Sequence, residues 1–147
     1  MNPLLAAALV VALVAVATAI GLFWRARTGR IRESVGPVVT PASLGTDARF
    51  GSDATIVQFS TEYCGPCRQA ERILERVASE RAGVAYLDVD LTAQPHLASE
   101  YGVMQTPTIL LLDAAGGIRS RIGGVPRQQD VAQRLDEIVK ESHVGVR

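Results

Sequence analysis

From Pro3 to Trp24 the chain reads PLLAAALVVALVAVATAIGLFW, without one charged side chain. A segment apolar on every side has no face to offer water, so it must be enclosed by protein or by lipid. As a helix it would span roughly 33 Å, enough to cross a hydrocarbon core. A cleaved secretory signal is the rival reading, and Ala17-Thr18-Ala19 has the small-x-small look of a cleavage site. No Lys or Arg precedes Arg25, however, and the apolar run is longer than a usual signal core. Residues 1–24 are therefore expected to form an uncleaved transmembrane anchor.

Arg25, Arg27, Arg30 and Arg32 follow directly. Positive charge beside a span tends to stay in the cytoplasm, which predicts a single-pass plasma-membrane protein with its C-terminal domain on the cytoplasmic side. The zero formal charge is a cancellation: residues 25–44 carry four Arg against Glu33, while residues 45–147 carry eleven basic side chains against fourteen acidic ones. A mildly acidic domain lacks the basic face that nucleic acid requires, so no nucleic-acid partner is expected. The four juxtamembrane Arg suit anionic lipid headgroups, at about 1 kcal/mol each.

Between Thr28 and Asp53, Gly, Pro, Thr and Ser predominate, and residues 25–44 read as a basic juxtamembrane segment and linker ahead of a domain at 45–147. Within this stretch Val38-Val39 suggests a short edge strand, and Ala42 to Phe50 a helical turn. Ala54 to Phe59 has the β-branched content of a buried strand. Ala70, Ile73, Leu74, Val77 and Ala78 then recur at helical spacing and lay one apolar stripe along about four turns. Val84 to Val89 reads as a second strand and Pro95 to Tyr101 as a short helix closed by Gly102. Thr108 to Leu112, a Gly-bearing turn at 114–117 and Ile118 to Ile122 make a hairpin. Val131, Leu135, Ile138 and Val139 define a last helix, which Pro126 is suited to start. The order predicts an α/β domain, a central mixed β-sheet with helices on both faces.

Cys64 and Cys67 are the only two cysteines, three apart at the start of the first amphipathic helix. The first N–H groups of a helix lack internal partners and carry about half a positive charge, which favours a thiolate at Cys64. Cys67 lies one turn deeper, within reach of a mixed disulfide on Cys64. Pro66 sacrifices no hydrogen bond at a helix start, and Gly65 leaves the first sulfur uncovered. Structural zinc wants four Cys or His ligands, and His96 and His143 stand far off at no ligand spacing, so no metal site is expected. A purely structural disulfide would close only a four-residue loop, where entropy gains least. Redox chemistry without a bound cofactor remains. Glu62 and His96 read as ordinary surface residues.

The segment Phe59 to Cys67, FSTEYCGPC, resembles the active-site segment of thioredoxins. The likeness runs over roughly residues 54–140, since Tyr101 to Thr108 (YGVMQTPT) is similar to the loop in which that family places a cis-proline, and Gly116 and Gly123-Gly124 match family glycines. The resemblance implies a thioredoxin fold in which Pro107 is cis and faces the Cys64 sulfur. Cys64 would then attack, Cys67 would resolve, and the Thr106 backbone would hold an extended substrate segment. Gly-Pro between the cysteines is the dipeptide of reducing thioredoxins, whose potentials lie near about −270 mV.

Three positions depart from the family. Gln58 stands where thioredoxins usually bury an Asp that manages the resolving thiol's proton, and Gln accepts none. Ser60 and Tyr63 replace the tryptophans that flank the site, and Tyr86 falls where a Lys often partners the buried Asp. The expected activity is reduction of disulfide-containing protein substrates by a membrane-tethered thiol-disulfide oxidoreductase, with a separate recharging reductase. The alternatives are an extracytoplasmic thioredoxin-like protein of the cytochrome-maturation type, or a redox-sensing or binding module with little turnover.

Overall fold

The computed structural model describes residues 2–144. Helix α1, Pro3–Arg27, is continuous across the uncharged run and buries none of its residues against the rest of the chain. Asn2 caps its start through a side-chain bond to the Leu4 N–H, and the Thr28 N–H closes its end on the Trp24 carbonyl. A long helix with an unburied apolar surface has the length and composition of a membrane span.

Five strands form one sheet in the order β1-β5-β4-β2-β3. These are β1 Ile31–Glu33, β2 Ala54–Ser60, β3 Val84–Asp90, β4 Thr108–Asp113 and β5 Ile118–Gly123. Only β2 and β3 run parallel; the β2/β4, β4/β5 and β5/β1 pairs are antiparallel, so the sheet is mixed. Helix α2, Gly65–Ser79, forms the crossover between the parallel strands; α3, His96–Glu100, and α4, Gln128–Val144, complete the fold.

Strand alternation divides the core in two. Ile56, Ile109, Leu111 and Ile122 face α2 and α4, meeting Ala70, Leu74, Val77, Val131, Leu135 and Ile138. On the opposite face Val57, Phe59, Leu110 and Leu112 meet Leu97 of α3 with Val39 and Leu44. Helices thus cover both faces, as the element order predicts.

Three local expectations are corrected. Val38-Val39 forms no strand, because Gly36 and Pro37 interrupt any ladder and Pro has no N–H to give; instead Val39 donates to the Gly116 carbonyl at 2.8 Å and buries its side chain. The edge strand is β1, whose Ile31 pairs with Ile122. The expected helical turn contracts to a single 3₁₀ turn at Ala42–Leu44. Strand β1, Val39 and Leu44 all belong to the sheet and core. Pro126 lies two residues ahead of the first helical residue of α4 instead of inside its first turn.

Candidate active site

Strand β2 ends at Ser60, and a turn closed by Cys64 N–H on the Thr61 carbonyl (3.2 Å) delivers the chain to α2. Cys64 is the N-cap residue, in extended conformation, and its Sγ accepts from the Cys67 N–H at 3.2 Å. The sulfur therefore occupies the place where capping oxygens usually sit, aimed at the unpaired N–H groups of the first turn. Pro66 occupies that first turn at no hydrogen-bonding cost. A Cβ on Gly65 would meet no atom within 4 Å, so the gap there is room for an approaching partner, not for internal packing.

The two cysteines are joined as a disulfide with Cα atoms 5.2 Å apart. Cys64 is half-buried and Cys67 is 3% exposed, an asymmetry that gives the first sulfur to incoming partners and keeps the second inside. Tyr63 stands 90% exposed beside the pair. Gln58 is 1% exposed, and its Nε2 donates to the Cys67 carbonyl at 3.1 Å. It thus pins the first turn of α2 to the sheet. Its Oε1 and the Tyr86 hydroxyl are the buried side-chain polar atoms that lack a partner among the described residues.

The Thr106–Pro107 bond is cis. The Pro107 carbonyl accepts from the Gly124 N–H at 2.7 Å, and φ of +87° at Gly124 gives a conformation that a side chain would resist. Thr106 and Pro107, with Pro66 and Gln69 opposite, line a groove of about 590 Å³ whose far wall is Arg25, Thr28 and Arg127. The last turn of α1 thus borders the same groove as the proline loop. The reason is a three-residue connection: after Arg27 only Thr28, Gly29 and Arg30 precede β1, and the Gly29 N–H bonds the Gly123 carbonyl at 2.8 Å.

Comparison with known proteins decides the lineage. The sequence profile of one family, Thioredoxin, matches residues 39–137.

The chain belongs to the thioredoxin family.

It is 34% identical over 104 residues to a thioredoxin of Mycobacterium tuberculosis, covering 69% of this chain and 87% of that one. A thioredoxin of Mycolicibacterium smegmatis is 32% identical over 94 residues, 62% of this chain and 84% of the relative. Among solved structures, chloroplastic thioredoxin z superposes with a TM-score of 0.54 at 27% identity, covering 59% of this chain and 79% of its own. A thioredoxin-2 of the malaria parasite, at 19% identity, shares the fold with a TM-score of 0.53 over 61% of this chain and 97% of its own. The fold is the thioredoxin fold, and the chain is a thioredoxin-like protein-disulfide reductase.

The residues singled out in the sequence fall into two groups around this site. Cys64, Cys67, Gln58 and Pro66 cluster at the start of α2, while Thr106 and Pro107 face Pro66 across the groove. His96 begins α3 and His143 lies near Asp53, both in other parts of the fold. One residue escaped the sequence reading: Asp88, whose Oδ2 accepts from the Ser60 hydroxyl at 2.7 Å in the cleft beside the cysteines. The available signal was its place two residues after Tyr86, hence on the same face of the strand. Burial pushes the Tyr86 phenol far above its ordinary range, with Asp88, Glu71 and Glu75 adding to the effect.

Proposed function

We propose that this protein is a single-pass plasma-membrane thiol-disulfide oxidoreductase whose thioredoxin domain faces the cytoplasm and reduces disulfides in proteins close to the membrane surface. The observation that carries the reading is the groove between Pro66 and Pro107, which has the basic end of an unburied apolar helix as one wall. Four Arg, two in the last turn of that helix and two just beyond it, favour the cytoplasmic side, and anionic headgroups are their partner.

In the reduced enzyme the Cys64 thiolate, favoured by the α2 N-terminus, attacks one sulfur of a substrate disulfide. The other substrate sulfur leaves as a thiolate and takes up a proton. Cys67, once deprotonated, attacks the Cys64 sulfur, forming the Cys64–Cys67 bond and releasing the second substrate thiol. Two electrons have then passed to the substrate, and a reductase must return the enzyme to its dithiol form. Tyr63, the Gly65-Pro66 pair and the Thr106 backbone meet the substrate segment that carries the disulfide.

Full-length protein in detergent is expected to catalyse dithiothreitol-dependent reduction of insulin, and Cys64→Ser to abolish it. A wild-type rate no faster than background would sink the assignment. In intact cells a membrane-impermeant maleimide is expected to label reduced Cys64 only after permeabilisation. Labelling without permeabilisation would place the domain outside and favour the extracytoplasmic alternative.

A further inference from the structure

Cys67 must shed its thiol proton before it attacks Cys64, and its neighbour on β2, Gln58, has no carboxylate to receive it. A cleft of about 210 Å³ opens beside the disulfide, lined by Cys64, Cys67, Gln58, Ser60 and Asp88. Parallel register sets Gln58 against Asp88 and Ser60 against Asp90, so the carboxylate lies one strand away from the glutamine. We propose that Asp88 is the proton acceptor for Cys67, reached through water in this cleft, and that it does from β3 what Gln58 cannot do from β2.

Four features support this. The Ser60 hydroxyl donates to Asp88 Oδ2 at 2.7 Å and fixes the carboxylate in the cleft. Gln58 lines the same cleft, and its buried Oε1 has no hydrogen-bond partner among the described residues, so this wall holds no competing carboxylate. The volume admits several waters at about 30 Å³ each. Finally, Asp88 is exposed on its outer side, so a proton it takes up has a way out to solvent.

The charged and titratable groups around Asp88 are Arg68, Glu71 and Glu75 on α2, Tyr86 and Asp90 on β3, and Glu62 in the turn. Partial desolvation raises Asp88 above the ordinary carboxylate range, the Ser60 hydrogen bond opposes this, and Asp90 adds to it. A more basic carboxylate is better matched to a thiol.

The step balances as follows: the Cys67 S–H gives its proton to Asp88, and the thiolate attacks the Cys64 sulfur. The bond from Cys64 to the partner breaks, the partner leaves as a thiolate and takes a proton from solvent, and Asp88 returns its own to solvent.

The inference rests on the roles proposed for Cys64 and Cys67, and the test separates the two. Reduced full-length protein in detergent is mixed with dithionitrobenzoate, a chromogenic aryl disulfide, in stopped flow. A first release of thionitrobenzoate, which Cys64→Ser abolishes, reports attack by Cys64; a second reports resolution by Cys67. Asp88→Asn is expected to slow the second phase about tenfold or more at neutral pH and to remove its acidic limb, with the first phase within about twofold of wild type. Asp88→Glu, or Gln58→Asp in the Asp88→Asn background, is expected to restore the second phase. Ser60→Ala, which removes the bond that lowers Asp88, is expected to move the acidic limb to higher pH. A second phase in Asp88→Asn with wild-type rate and pH profile, or equal slowing of both phases, would overturn the proposal.

Discussion

At the scale of single residues, the site sets a half-buried sulfur and a buried one within one helical turn. Cys64 caps α2 with its sulfur, while Cys67 packs beneath it against Gln58. Replacing a buried acid by Gln58 removes an ionisable group from the interior, and the structure places Asp88 at the mouth of the cleft instead. That carboxylate has a stability signature of its own. Its folded-state affinity for protons is raised, so its favourable contribution is complete below the ordinary Asp range, about pH 3.9, and is lost as pH rises through the raised value. Asp88→Asn is therefore expected to raise the melting temperature at neutral pH and to leave it unchanged below about pH 4. A lower melting temperature at neutral pH would show that Asp88 holds the fold together.

At the scale of elements, α2 and α4 share one face of the sheet, and Leu135 lies fully buried between α4 and that face. Leu135→Ala is expected to cost about 2–5 kcal/mol, read from urea unfolding of the domain in detergent, because the rigid sheet can close only part of the cavity. A loss under about 1 kcal/mol would mean the helix relaxes onto the sheet. The strands at this level were legible where short apolar runs are buried, as in Ala54–Ser60 and Thr108–Asp113. Strand β1 was not, since Ile31-Arg32-Glu33 has one apolar residue and owes its conformation to pairing with Ile122, Arg121 and Ser120. The site divides in the same way. Cys64, Cys67 and Pro107 announce themselves by local spacing and by likeness to thioredoxins, whereas Asp88 matters only through the register that sets it beside Gln58, and sequence does not display register.

At the scale of the whole molecule, the decisive relation is between the apolar helix and the groove. Gly29, at φ +78°, makes the turn that joins them, and a Cβ there would come within 2.3 Å of the Val125 carbonyl oxygen. A flexible Gly-Ser segment inserted between Thr28 and Gly29 should free the domain from the helix end. Insulin reduction in detergent is expected to be unchanged by the insertion, while reduction of a disulfide placed beside the span of a bilayer-embedded peptide is expected to fall severalfold. Equal rates on the embedded peptide would show that the groove does not depend on the helix end.

Three residues of connection also set the dimensionality of the search. Fully extended, they span only about 10 Å, and the Gly29–Gly123 bond holds them well short of that. With α1 in a bilayer, the reactive sulfur sweeps a thin sheet parallel to the surface instead of a sphere on a leash. Its encounters then scale with the number of disulfides per unit area of membrane, and a soluble target at the same bulk concentration is met far less often. On that membrane-tethered reading, the recharging reductase would have to come down to the surface or reside there.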